Sequence, residues 1–135
     1  MQFDARQEKQ LLKKYTLEKD ASKRHFVCIE LQDFYYMYRS ISEDYVDRCI
    51  HFCLEDIEHL HELDAAYANN RLTSMFIGRI PAFSRLAIIY EKRREFVLAE
   101  DICDMAITYY TEHGKAELAE SFFKRYCRLQ DMKNK

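Results

Sequence analysis

A chain of 135 residues with a formal charge of −2 is not a strongly basic nucleic-acid binder, and its 48% hydrophobic residues exclude a disordered polypeptide. No stretch approaches the roughly 20 apolar residues of a membrane span. Two glycines and one proline leave too little material for hairpin turns or phosphate loops, so an all-α fold is expected. The length suits a single domain, residues 1–135, whose core forms without metal or disulfides. The five cysteines contain no Cys-x-x-Cys pair and the first fifteen residues hold no apolar signal core. Free thiols suit a reducing compartment, and the expected location is cytoplasmic.

In chain order, the first helix is expected over residues 3–18, with Phe3, Gln7, Leu11 and Tyr15 on one stripe and Leu12 beside it. Asp20 is placed to cap the second, because its carboxylate can accept from first-turn amides. That helix runs to about residue 38 and buries Val27, Leu31, Phe34, Tyr35 and Tyr38. The run HFVCIEL reads as strand by propensity, yet the 3.6-residue period continues past it and favours helix. Ser40 or Ser42 caps the third helix, and Ser40 with Glu43 matches a capping box. Its apolar stripe is Val46, Cys49, Ile50, Cys53, Ile57, Leu60 and Leu63. The N-terminal helices then fill residues 1–64, and residues 65–80 form a connector pinned by Met75, Phe76 and Ile77.

Residues 81–111 read as a tight helical hairpin. Proline at position 81 suits a first helical turn, where its missing N–H has no partner to lose. Phe83, Leu86, Ala87 and Tyr90 make one face; Ala99, Ile102, Cys103, Ala106 and Tyr110 make the inward stripe of the next helix. His113–Gly114 offers a left-handed stop. The last helix, residues 115–132, buries Leu118, Ala119, Phe122, Phe123, Tyr126 and Leu129 and closes the array. Five or six helices are expected in all.

Phe83, Leu86, Ala87, Tyr90, Phe96, Ala99, Cys103 and Ala106 together resemble the signature of one tetratricopeptide repeat, over residues 80–111. Two departures stand out: Arg94 occupies the turn position where the family usually has glycine, and Thr111 stands where its terminal proline falls. The pair from Asp20 to Leu63 resembles a degenerate copy, with Phe34, Tyr38 and Tyr45 in large-residue places and Arg48 where a small residue belongs. The resemblance implies helical hairpins packed as a repeat-like array or compact bundle, capped by the last helix, and a scaffold that binds protein or peptide. The segment beginning at Ile80 is also similar to segments of bacterial and phage proteins.

The sharpest charge signal lies between Glu43 and Asp64, with eight acidic residues against Arg48 alone, a formal charge of −7. Asp44, Asp47, Glu55, Glu58 and Glu62 share a helical stripe, where like charges oppose helix formation by roughly 0.2–0.5 kcal/mol per pair. Either nearby bases and solvent offset this, or the stripe meets a basic partner by imitating a phosphate track. Glu58 and His61 form the Glu-x-x-His used by di-iron bundles, but no second copy exists in the chain, so no metal is expected. No cofactor motif, nucleophile elbow or P-loop is present, and the expected class is non-enzymatic. Basic clusters at Lys13, Lys14, Lys19, Lys23 and Arg24, and at Lys92, Arg93 and Arg94, read as solvated helix ends, with nucleic-acid contact as the alternative. The expected activity is that of an adaptor, accessory factor or stoichiometric inhibitor of bacterial or phage type. Its partner is a protein or peptide met by Asp44, Asp47, Glu55, Glu58, Glu62, Arg71, Met75, Phe76 and Arg79, with homodimer formation compatible.

Overall fold

The structure, a computed structural model, describes residues 1–68 and 79–135. Among the described residues are seven α-helices and no strand: α1 (Ala5–Leu17), α2 (Ala21–Met37), α3 (Glu43–Glu58), α4 (Leu60–Ala68), α5 (Pro81–Lys92), α6 (Phe96–Glu112) and α7 (Ala116–Lys133). The all-α expectation holds. The count exceeds five or six because the third expected helix is two. At His59 the backbone N–H is shared between the carbonyls of Glu55 and Asp56, and the ring Nδ1–H donates to the Glu55 carbonyl at 2.7 Å. The imidazole thus competes for the carbonyl that would continue the ladder, the turn tightens, and α4 restarts at Leu60. Helix α4 extends to Ala68, so the first four residues of the expected connector are helical. Arg71, Met75 and Phe76 lie outside the described residues.

The chain divides into two compact units, Met1–Gly78 and Arg79–Lys135. In the first, α2 is central and packs against α1, α3 and α4. Its five expected core residues are all buried, and the run HFVCIEL is helical. Asp20 caps α2 as expected, whereas Ser42 rather than Ser40 caps α3, its hydroxyl accepting from the Asp44 amide at 3.1 Å. Helix α1 begins at Ala5 behind an Asp4 cap, which leaves Phe3 outside the helix. Its ring stacks on Tyr45 at 4.3 Å and meets Phe34 and Tyr38 at 5.4 and 4.9 Å. Gln7 is exposed, and Glu8 turns inward in its place. Glu8 Oε2 accepts from the Tyr35 hydroxyl and from Arg48 Nη1, both at 2.6 Å. Arg48 therefore ties α3 to α1.

A polar seam runs through the buried α2–α3 interface. His25 Nδ1 lies 2.6 Å from Asp56 Oδ1, the Cys28 thiol donates to the Phe52 carbonyl at 3.1 Å, and Gln32 Nε2 reaches that carbonyl at 3.4 Å. The Cys49 thiol in turn donates to the Gln32 carbonyl at 3.4 Å. Phe52 and Asp56 are buried, while Ile50 and Ile57 are only half-buried. The inward stripe of α3 is thus rotated from the one expected, toward residues that can partner this seam.

In the second unit, α5 packs on α6 and α6 on α7. Phe83, Leu86, Ala87, Tyr90, Ala99, Cys103 and Ala106 are buried, and Phe96 is half-buried. Ala87, Ala99 and Ala106 have no exposed surface, the condition for close backbone approach. Tyr110, fully enclosed, accepts the Ile80 amide at its hydroxyl at 2.8 Å and fixes where the unit begins.

The two turns of this unit are the same motif twenty residues apart. After α5, Arg94 N–H bonds to the Glu91 carbonyl and Glu95 N–H to that of Tyr90; after α6, Gly114 N–H bonds to Thr111 and Lys115 N–H to Tyr110. Both are Schellman closures, with the left-handed position filled by Arg94 (φ 61°) and Gly114 (φ 70°). The sequences follow suit, since Tyr90 and Leu98-Ala99-Glu100 recur as Tyr110 and Leu118-Ala119-Glu120. In α7, Ala119, Phe122 and Leu129 are buried and Leu118 and Tyr126 half-buried, but Phe123 is 52% exposed. The expectation of a buried Phe123 is corrected: the buried stripe passes through Phe122, one residue and 100° away.

Candidate interaction surfaces

The acidic helix of the sequence is now α3 and α4. Asp44, Asp47, Glu58 and Glu62 are exposed, and Glu55 is half-buried. Nearby groups compensate part of the stripe: Glu55 Oε2 accepts from the Tyr15 hydroxyl at 2.9 Å, His51 Nε2 lies 3.8 Å from Glu55 Oε1, and Arg24 pairs with Glu62. The acids near the start of α3 also oppose the positive end of its dipole, which favours them. Asp56, the fifth acid of the run, is not on this surface at all but in the α2–α3 seam. Of the expected connector residues, Arg79 is exposed and lies close enough to Tyr110 to oppose the upward shift of its hydroxyl pKa.

Around the His25–Asp56 pair the structure collects groups that the sequence reading did not assemble. Tyr15, Arg24, His25, Cys28, Asp56, His59 and Leu63 surround a cavity of about 10 Å³, the size of one water. Asp56 Oδ2 is buried beside it without a hydrogen-bond partner. The signal was present in sequence: His25, Cys28 and Gln32 follow one another at i, i+3 and i+7 on an otherwise apolar face, and Asp56 continues the Cys49–Cys53 stripe. A Cys, a His and an Asp in one pocket invite comparison with thiol hydrolases, but the chemistry does not follow. Burial, with Asp56 adding to it, pushes the Cys28 thiol up to about 12, and the thiol donates to a carbonyl rather than to His25. A neutral thiol is a poor nucleophile. Tyr15 is likewise raised well above its ordinary value, chiefly by burial. The cavity has no room for a substrate.

All five cysteines are free, and only Cys127 is exposed. Among the described residues no three His, Cys, Asp or Glu side chains converge as a metal site, and no helix is long and apolar enough to cross a membrane.

A second surface escaped the sequence reading. Between α6 and α7, Ile107, Thr111, Gly114, Ala116, Ala119, Glu120 and Phe123 line an open groove of about 360 Å³. Its floor is of small residues and Phe123 stands at its side. The end of the unit where α5 meets α6 is basic instead. Lys92 and Arg94 are exposed there, while Arg128 and Arg125 of α7 approach Glu91 Oε1 at 2.6 and 3.8 Å.

No family model matches the chain, and neither a curated protein nor a solved structure matches it. The tetratricopeptide resemblance therefore rests on residue pattern alone, chiefly that of the α5–α6 hairpin.

Proposed function

We propose that this chain is a non-enzymatic, tetratricopeptide-like helical scaffold that binds a protein or peptide, acting in the cytoplasm as an adaptor, accessory factor or stoichiometric inhibitor. One observation carries the reading. The α5–α6 hairpin seats seven of the eight signature positions in its core, with alanines at the helix contact. Hairpins of this kind serve as rigid supports for exposed recognition surfaces. The exposed carboxylates of α3 and α4 give the partner its sign: a basic protein, met by Asp44, Asp47, Glu58 and Glu62 in place of a nucleic-acid backbone. The test is affinity capture from the native host with the tagged full chain, compared with an Asp44→Asn/Glu58→Gln variant. A protein retained in stoichiometric amount by the parent and weakly by the variant supports the reading. Failure to retain any protein stoichiometrically defeats it.

A further inference from the structure

The turn between α5 and α6 is strained in a way that its counterpart is not. Arg94 and Gly114 occupy the same left-handed position of the same closure. Glycine adopts that conformation freely, whereas an arginine Cβ is crowded there by the backbone. The favourable position of cations near a helix C-terminus does not account for the choice, because Lys92 and Arg93 already supply them. The guanidinium of Arg94 lies 5.2 Å from the ring centroid of Phe96, which orders it at the surface. Among the described residues neither Arg94 nor the exposed Lys92 has a carboxylate partner. Beside them, the single charge of Glu91 is shared by Arg125 and Arg128, whose side chains remain 25% and 54% exposed.

We propose that the basic end of the second unit, formed by Lys92, Arg94, Arg125 and Arg128, is a docking surface for a protein segment carrying clustered carboxylates. Charge complementarity sets the sign, and the guanidinium fork suits a carboxylate. A nucleic-acid strand fits this end less well. Glu91 and Glu95 interrupt any phosphate track, and Arg94 covers the Phe96 face on which a base would stack. This surface is independent of the acidic flank on α3 and α4.

The experiment titrates the full chain into a fluorescein-labelled peptide containing six consecutive glutamates and follows anisotropy. Binding is expected, weakening as salt rises from about 50 to 200 mM. Arg94→Gly and Lys92→Gln are each expected to weaken it about fivefold. Asp44→Asn/Glu58→Gln, on the other surface, is expected not to weaken it. Arg94→Gly is also expected to melt higher than the parent, so its weaker binding cannot come from unfolding. An Arg94→Gly variant that binds the peptide as tightly as the parent overturns the proposal. So does tighter binding of a labelled oligothymidylate than of the peptide.

Discussion

Two single residues, Arg94 and Gly114, give the sharpest stability predictions because they occupy one conformation with different side chains. Arg94→Gly should stabilise the fold by about 1 kcal/mol, and Gly114→Ala should destabilise it by about as much. A Cβ at Gly114 meets nothing within 4 Å, so the second effect is one of backbone conformation and not of collision. Urea denaturation of both variants checks the pair, and effects of the same sign would contradict it. Asp56 is the other decisive position. Removing it by Asp56→Ala strands His25 in a site where the two are 3% and 8% exposed, and a loss of about 3–5 kcal/mol is expected. Replacing both residues by leucine should lose less than this single change, because no polar group is then left alone. A double variant less stable than Asp56→Ala would mean that the pair contributes more than mutual compensation.

At the scale of elements, burial acts on α1, α2 and α6 in one direction. Cys28 is pushed up to about 12, Cys103 to about 11, and the hydroxyls of Tyr15, Tyr35 and Tyr110 upward as well, each chiefly by burial. A folded state that keeps its proton while the unfolded chain loses it is stabilised fully below the ordinary thiol value of 9.0, and less as pH climbs toward 11 and 12. The urea midpoint should therefore decline steadily above about pH 9. A midpoint unchanged between pH 8 and 10.5 would contradict that burial. Alkylation of the native protein with iodoacetamide should label Cys127 first, since the other four thiols are enclosed.

The helices themselves were legible in sequence because their apolar period is long and uninterrupted; the caps at Asp20 and the turn at Gly114 were legible for chemical reasons. The break at His59 was not, since it arises from a side chain competing for a carbonyl in a run without glycine or proline. Nor was the choice between Phe122 and Phe123, because neighbouring aromatics satisfy the same pattern and only the packed partner decides which is covered. The rotated stripe of α3 has the same origin: Asp56 entered only the charge of the acidic run and not the expected apolar stripe, and only the α2 residues opposite it bring it inside. Candidate surfaces were legible where they depend on exposed charge along one helix, as in α3. The groove beside Phe123 depends on how two helices meet, whereas Arg94 in a glycine position was visible in the turn itself and only its φ of 61° came from the structure.

For the whole molecule, the near-neutral total conceals a division. The first unit carries ten basic against fourteen acidic residues, a formal charge of −4, and the second eleven against nine, a formal charge of +2. A chain so divided can present surfaces of both signs, and their salt dependences are separable by variants on one unit at a time. The order of packing in the second unit has a further consequence, one of time. Each of its helices rests chiefly on its sequence neighbour across a three-residue turn, so the chain meets its partners without first closing a long loop. Nothing in that unit asks a distant segment to arrive before a local one is rewarded. Its helices should assemble within milliseconds of transfer from urea, ahead of any slower event elsewhere in the chain.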